Sequence, residues 1–195
     1  MTALKKALEF VESKNLEIEI RYGTIIDIFT QERLNIGAQN LVIVTPNTTR
    51  TKFISGVTNV QFENIRRKFG SYDYQSVIDR IIVHKNGRYT YVDGKIKSCI
   101  KKQKKKTIDI HNPFSGFDMR ISFSIENEIP MVPIKDKISV VERNRNRESV
   151  IFDKYSLDFT VVDCRGKLTY EIELEVVDLK FDKDEFINFM FYIIE

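Results

Sequence analysis

The chain has 195 residues, 42% hydrophobic and 30% charged, with a formal net charge of +3. That balance fits an ordinary folded chain with enough length for a sizeable core, read here as one domain over residues 1–195. No apolar run approaches the roughly 20 residues that span a bilayer, and MTALKKALEFVESKN is too charged for a signal peptide, so no membrane association is expected. Two cysteines, Cys99 and Cys164, offer neither a disulfide framework nor metal spacing, which points to a reducing, intracellular setting. With His84 and His111 the only histidines, a metal here must be held by carboxylates, favouring a hard divalent ion, Mg²⁺ or Mn²⁺.

In chain order, Leu4, Ala7, Leu8 and Val11 recur at helical spacing and predict a helix over 2–14. Strand text begins at LEIEIRYG (16–23) and resumes in IIDIF and LVIVT. Val57, Val60, Phe62, Ile65 and Phe69 predict a second helix within 57–70, and SYDYQSVIDR reads as a short third. From about residue 79 the text is nearly all strand: IIVH, RYTYV, KIKSCIKKQ, KTIDIH, FDMRISFSIE, KISVVERNR, ESVIF, YSLDFTVV and KLTYEIELEVVD. Asn86-Gly87 and Asp93-Gly94 are tight-hairpin signals, and Asp153-Lys154 and Arg165-Gly166 suit two further turns. FDKDEFINFMFYIIE follows as an amphipathic helix capped by Asp182. The expectation is one antiparallel β-domain of eight or more strands with a few helices outside it.

Alternation along these strands gathers charge onto single faces. Glu17, Glu19 and Arg21 share one face against Leu16, Ile18 and Ile20. Asp118, Arg120, Ser122, Ser124 and Glu126 share another, as do Arg143, Arg145 and Arg147; Ser156, Asp158 and Thr160; and Glu171, Glu173 and Glu175. A single half-exposed strand looks the same in any antiparallel sheet. Here, however, the apolar faces are too numerous for every polar face to meet water. A closed sheet, polar inside and apolar outside, padded by helices, accounts for the pattern. Two like charges 4 Å apart cost roughly 4 kcal/mol at an effective dielectric of about 20, so such an interior needs cations between its acids and anions between its bases. A divalent metal and a polyanion satisfy both, and the chemistry they suggest is phosphoryl transfer. The competing view is a network of buried salt bridges with no ligand.

The same segments resemble the metal-dependent RNA 5′-triphosphatases of fungi, microsporidia and protozoa, the β subunits of mRNA-capping enzymes within the triphosphate tunnel metalloenzymes. The resemblance runs over about residues 15–178. LEIEIRYG resembles the family's first Glu-x-Glu strand and YEIELEVVD its last Glu-x-Glu-x-Glu strand. Between them QERLNI, FISGV (53–57), FDMRISFSIENEIP (117–130) and ERNRNRES followed by LDFT recur in the family's order.

The resemblance implies a mainly β fold, an eight-stranded antiparallel tunnel with a polar interior flanked by helices. It implies removal of the γ-phosphate from triphosphate-ended RNA, the first step of mRNA 5′ capping, in the nucleus and linked to an RNA guanylyltransferase. The metal would lie on Glu17, Glu19 and Glu175. Glu171 and Glu173 would hold metal-bound waters or order the bases. Arg21, Arg88, Lys102, Lys104, Arg120, Arg143, Arg145 and Arg147 would grip the triphosphate, with Glu126, Asp158 and Thr160 orienting these groups or the water. Three departures stand out. Arg21 replaces the usual Lys. Ser156 stands where an Arg is usual, with Lys154 or Arg143 as candidate substitutes. The run KKQKKK does not say which lysines face inward. The absence of Trp also removes the Trp-containing segment by which some fungal relatives dock the guanylyltransferase, and a shortened, microsporidian-like form fits. The resemblance leaves monomer and homodimer open. The alternatives are a tunnel hydrolase of inorganic triphosphate, thiamine triphosphate or free nucleotide, and a non-catalytic RNA- or polyanion-binding module.

Overall fold

The computed structural model describes residues 2–9, 15–44, 50–85, 87–131 and 141–195. Its strands are β1 (Leu16–Asp27), β2 (Val42–Val44), β3 (Thr51–Ser55), β4 (Gln75–His84), β5 (Gly87–Val92), β6 (Lys95–His111), β7 (Asp118–Glu128), β8 (Val141–Ile151), β9 (Tyr155–Cys164) and β10 (Lys167–Val176). The helices are α1 (Thr2–Ala7), α2 (Asn59–Lys68) and α3 (Lys183–Tyr192). Eight strands close in the order β10-β9-β8-β4-β5-β6-β7-β1, and β1 pairs back onto β10 through Glu19↔Glu175 and Arg21↔Glu173. Every pairing is antiparallel. The expected eight-stranded barrel flanked by helices is therefore the observed fold, with β2 added on β6 and β3 on β1.

Two of the hairpins carry the residues their turns demand. Asp93-Gly94 and Arg165-Gly166 both lie at positive φ, 50° and 74° and then 57° and 81°, as a two-residue turn that follows sheet twist requires. Phe152 N donates to Tyr155 O across the Asp153-Lys154 turn. Asn86 lies outside the described residues, although its flanks pair as a hairpin through His84↔Gly87.

Several boundaries differ from the sequence reading. The third helix is absent: Gln75–His84 is strand β4, held between β5 and β8, where two ladders of partners outweigh local preference. LEIEIRYG and the first part of IIDIF form one strand, because Gly23 lets β3 cross β1. A Cβ at residue 23 would lie 2.1 Å from Ile54 O. KIKSCIKKQ and KTIDIH are likewise one strand, with one register shift between Ile96 and Ser98 and a second, a bulge, between Lys104 and Lys106. The N-terminal helix is described over Thr2–Ala7; residues 10–14 of its expected span lie outside the described residues.

The helices cover one side of the barrel. Thr58 caps α2 through a reciprocal pair with Gln61, and Asp182 caps α3 by accepting from Asp184 N and Glu185 N, 2.8 and 2.9 Å. The outer faces of β1, β7, β9 and β10 (Ile18, Ile20, Tyr22, Met119, Ile121, Leu157, Phe159, Ile172, Leu174) pack with Leu4, Leu8, Phe62, Ile65, Phe69, Phe186, Ile187 and Met190. Tyr22 Oη donates to Met190 O at 2.8 Å, which fixes α3 on the barrel. Val60, expected on the apolar face of α2, is instead 70% exposed.

Candidate active site: a charged tunnel

With apolar faces committed outward, the alternate residues of each strand must point in. They enclose a cavity of about 480 Å³. Glu17, Glu19 and Arg21 enter it from β1, Arg88 from β5, Lys102 and Lys104 from β6, and Arg120 and Glu126 from β7. Arg143, Arg145 and Arg147 enter from β8, and Glu171, Glu173 and Glu175 from β10. Asp158 and Thr160 occupy the same inward row of β9 but lie beneath these side chains, 2% and 1% exposed.

The bulge settles the lysine run. By strict alternation Lys102, Lys104 and Lys106 share a face. One extra residue after Lys104 reverses the order. Lys106 turns outward, donating to Ala7 O at 2.5 Å and lying over Phe123, while Asp109 turns in.

Opposite charges interlock across the cavity. The Lys102 ammonium lies between Glu17, Glu19 and Glu126, paired with Glu17 and 3.4 and 3.5 Å from the other two. Arg88 holds Glu126 at 3.1 Å. Arg21 bridges Glu19 and Glu173 at 3.1 and 2.7 Å, and Arg147 reaches Asp158 at 2.9 Å and Glu173 at 4.0 Å. Two acids escaped the sequence reading. Asp79 receives both prongs of Arg145, 2.8 and 2.7 Å, and Asp109 both prongs of Arg120, 2.6 and 2.8 Å. Such forks fix the guanidinium plane as well as its charge. The false helix hid Asp79, and the bulge hid Asp109.

Two expected positions fall elsewhere. Asp118 shares the face of Arg120 by alternation but lies beyond the tunnel, fully buried. It lies 3.0 Å from His111 Nδ1 and accepts from Arg33, Ile25 N and Asn112 N, and these last three hold its carboxyl below the usual range against burial. Lys154 lines a groove beside α3 rather than the tunnel, so only Arg143 of the two candidate substitutes enters the cavity. Ser156 donates to Asp158 at 2.6 Å, leaving Asp158 shared between a hydroxyl and Arg147.

The acids differ in how well they are neutralised. Burial, with Glu17 and Asp158 nearby, pushes Glu175 up to about 7. Burial also raises Glu17, against Lys102, and Glu19, against Arg21. Burial and then Glu173 raise Glu171. Burial works on Glu173 too, yet Arg21 and Arg147 outweigh it and hold that carboxyl below its usual range. Glu17, Glu19 and Glu175 are thus crowded acids short of positive charge, an all-oxygen donor set suited to a hard divalent ion. Among the described residues no three His, Cys, Asp or Glu side chains already converge as ligands, and Lys102 fills the space between Glu17 and Glu19.

The family described as "mRNA capping enzyme, beta chain" matches residues 6–83 and 83–185. The mRNA-capping enzyme subunit beta of Schizosaccharomyces pombe is 25% identical over 201 residues, 86% of this chain and 65% of that relative, so the chain spans just under two thirds of its length. The S. pombe Pct1 RNA triphosphatase, solved in complex with the Spt5 CTD, matches with a TM-score of 0.78 at 22% identity over 86% of this chain and 73% of its own. The triphosphatase of the Mimivirus capping enzyme matches with a TM-score of 0.59 at 14% identity over 98% and 95%. At these identities the structural matches speak to the fold.

Proposed function

Because the chain belongs to the family of the mRNA capping enzyme beta chain, we propose that it is an RNA 5′-triphosphatase, releasing the γ-phosphate of triphosphate-ended RNA for capping. One observation carries the reading: Glu17, Glu19 and Glu175, three buried acids whose pKa values are all raised, share a tunnel cavity of about 480 Å³ with a set of arginines and lysines.

In this reading residues 1–195 act as one catalytic unit. Glu17, Glu19 and Glu175 hold Mg²⁺ or Mn²⁺. When bound, the ion neutralises charge on the transferring phosphoryl group and lowers the pKa of the attacking water. Arg145, held flat by Asp79, and Arg147, held by Asp158, clamp the phosphoryl oxygens; Arg21, Arg88, Lys104, Arg120 and Arg143 carry the rest of the triphosphate. Lys102, paired with Glu17 and 3.4 Å from Glu19, would be free to serve the phosphate if those carboxylates held a cation instead. Glu171 and Glu173 order the arginines, and Glu126, Asp158 and Thr160 orient the water and its neighbours. Thr160 Oγ1 is buried with no hydrogen-bond partner, a hydroxyl open to a ligand. The reaction links the chain to an RNA guanylyltransferase, which consumes the diphosphate end, and to the nucleus.

The test is phosphate release by the purified chain from 5′-triphosphate RNA with Mg²⁺ or Mn²⁺, beside tripolyphosphate, thiamine triphosphate and nucleoside triphosphates. Release from RNA is the expected result. Cleavage of tripolyphosphate with intact RNA ends overturns the capping role, and no cleavage of any substrate leaves a polyanion-binding module.

A further inference from the structure

The two mouths of the tunnel differ in sign, and this bears on which way the substrate lies. Strands in a closed barrel tilt, so residues paired across a ladder stand at different heights. Following the register around the barrel sorts the inward side chains into tiers. At one end stand Glu17, Glu126, Glu175, Asp158 and Asp79; Arg147 shares their level with Asp158, Lys102 and Arg88 reach in to Glu17 and Glu126, and Arg145 takes Asp79, which leaves Glu175 outside these pairs. Beyond them opens a vestibule of about 840 Å³, whose rim adds the exposed Glu128. At the other end stand Arg21, Lys104 and Arg143, then Arg120. Asp109 is spent on Arg120, and Glu171 is the remaining carboxylate of the cavity at that level.

A charged cleft with low-dielectric walls focuses its field, and a nucleic-acid strand follows positive potential along its phosphates. We propose that the tunnel is threaded in one direction. The RNA strand lies through the mouth of Arg21, Lys104, Arg120 and Arg143, with the γ-phosphate innermost. The mouth of Glu17, Glu126, Glu128 and Glu175 repels the strand and serves cation and water. This rests on the RNA 5′-triphosphatase reading and adds a polarity to it. Glu128 then lies off the path of the strand, a rim charge at the mouth that the RNA does not use.

Val141 continues the inward row of Arg143 to the basic rim and is 42% exposed, which makes it a probe outside the phosphate-binding set. A photo-crosslinking amino acid is placed at Val141 in one protein and at Glu128 in another. Each is irradiated with a short RNA bearing a β,γ-imido triphosphate end. Crosslinking is expected at position 141 and not at 128. In unlabelled proteins, Val141→Glu should raise KM for triphosphate RNA roughly tenfold, with a smaller change for tripolyphosphate. Glu128→Lys should leave KM for RNA near its starting value. Crosslinks at 128, or a selective fall in KM for RNA with Glu128→Lys, overturn the polarity while hydrolysis of RNA ends keeps the activity standing. Failure of the unaltered chain to cleave RNA ends overturns both.

Discussion

The two sides of the barrel wall are built differently. β1, β7, β9 and β10 are backed by all three helices, and their outward side chains Ile18, Ile20, Ile121, Leu157 and Leu174 are fully buried. The outward faces of β4 and β8 are open over much of their length, with Ile78 74% exposed and Arg80, Asn144 and Asn146 exposed beside it, although Tyr89 on β5 and Cys99 on β6 are buried. The inward charges divide along the same line. Glu17, Glu19, Glu126, Asp158, Glu171, Glu173 and Glu175 stand on the padded side, and Arg88, Lys102, Lys104, Arg143, Arg145 and Arg147 on the bare one. The exceptions are clamped: Arg21 by Glu173, Arg120 by Asp109, Asp79 by Arg145. Crowded carboxylates repel, so they need a frame whose strands cannot splay. Long cationic side chains that close on a phosphate do not.

Removing the padding should give the largest effect. Leu174→Ala, directly behind Glu173 and Glu175, is expected to cost about 2–5 kcal/mol in chemical denaturation. Next comes the acid face itself. Glu175→Gln should lower kcat for RNA ends by about 10²–10³-fold, with an unchanged circular dichroism spectrum. An active, metal-dependent Glu175→Gln enzyme would remove that residue from the metal site.

A smaller effect follows from titration. In the unfolded chain Glu175 ionises near 4.5, in the folded chain near 7. Between those values the native state holds a proton that the unfolded state has lost, so stability falls as pH rises and the full penalty stands above 7. Glu17, Glu19 and Glu171 shift in the same direction. Glu173 and Asp118 are shifted down and finish titrating below this window. Metal-free protein should therefore melt lower at about pH 8 than at about pH 6, by on the order of 1–3 kcal/mol, and Mg²⁺ should narrow the gap. Equal melting at both pH values without metal would show the acids to be neutralised already. The smallest effect belongs to the bare side: Ile78→Ser should change stability by less than about 0.5 kcal/mol. A larger loss there would erase the contrast.

Much of this was legible in the sequence because period-two alternation is a property of the strand itself. LEIEIRYG and TYEIELEVVD announce both their inner and outer faces, and the apolar excess announces closure. What escaped depends on neighbours. Asp79 sits in a segment whose strand form comes from pairing with β5 and β8. Asp118 continues an inward row past the point where the tunnel stops, which only the length of β1 and the position of β3 decide. The crowding that raises Glu175 arises from Glu17 and Asp158 on other strands.

The β6 bulge has a consequence for how this chain can vary. Exchanging one lysine for another basic residue between 101 and 106 preserves every face. Deleting the extra residue between Lys104 and Lys106 leaves both sides on their present partners, whereas a strand of the same length without the bulge would swing Lys106 inward and turn Asp109 out, stripping Arg120 of its fork and α1 of its tether. The segment that looks most repetitive in composition thus depends on one unpaired residue, whose place in the ladder composition does not reveal.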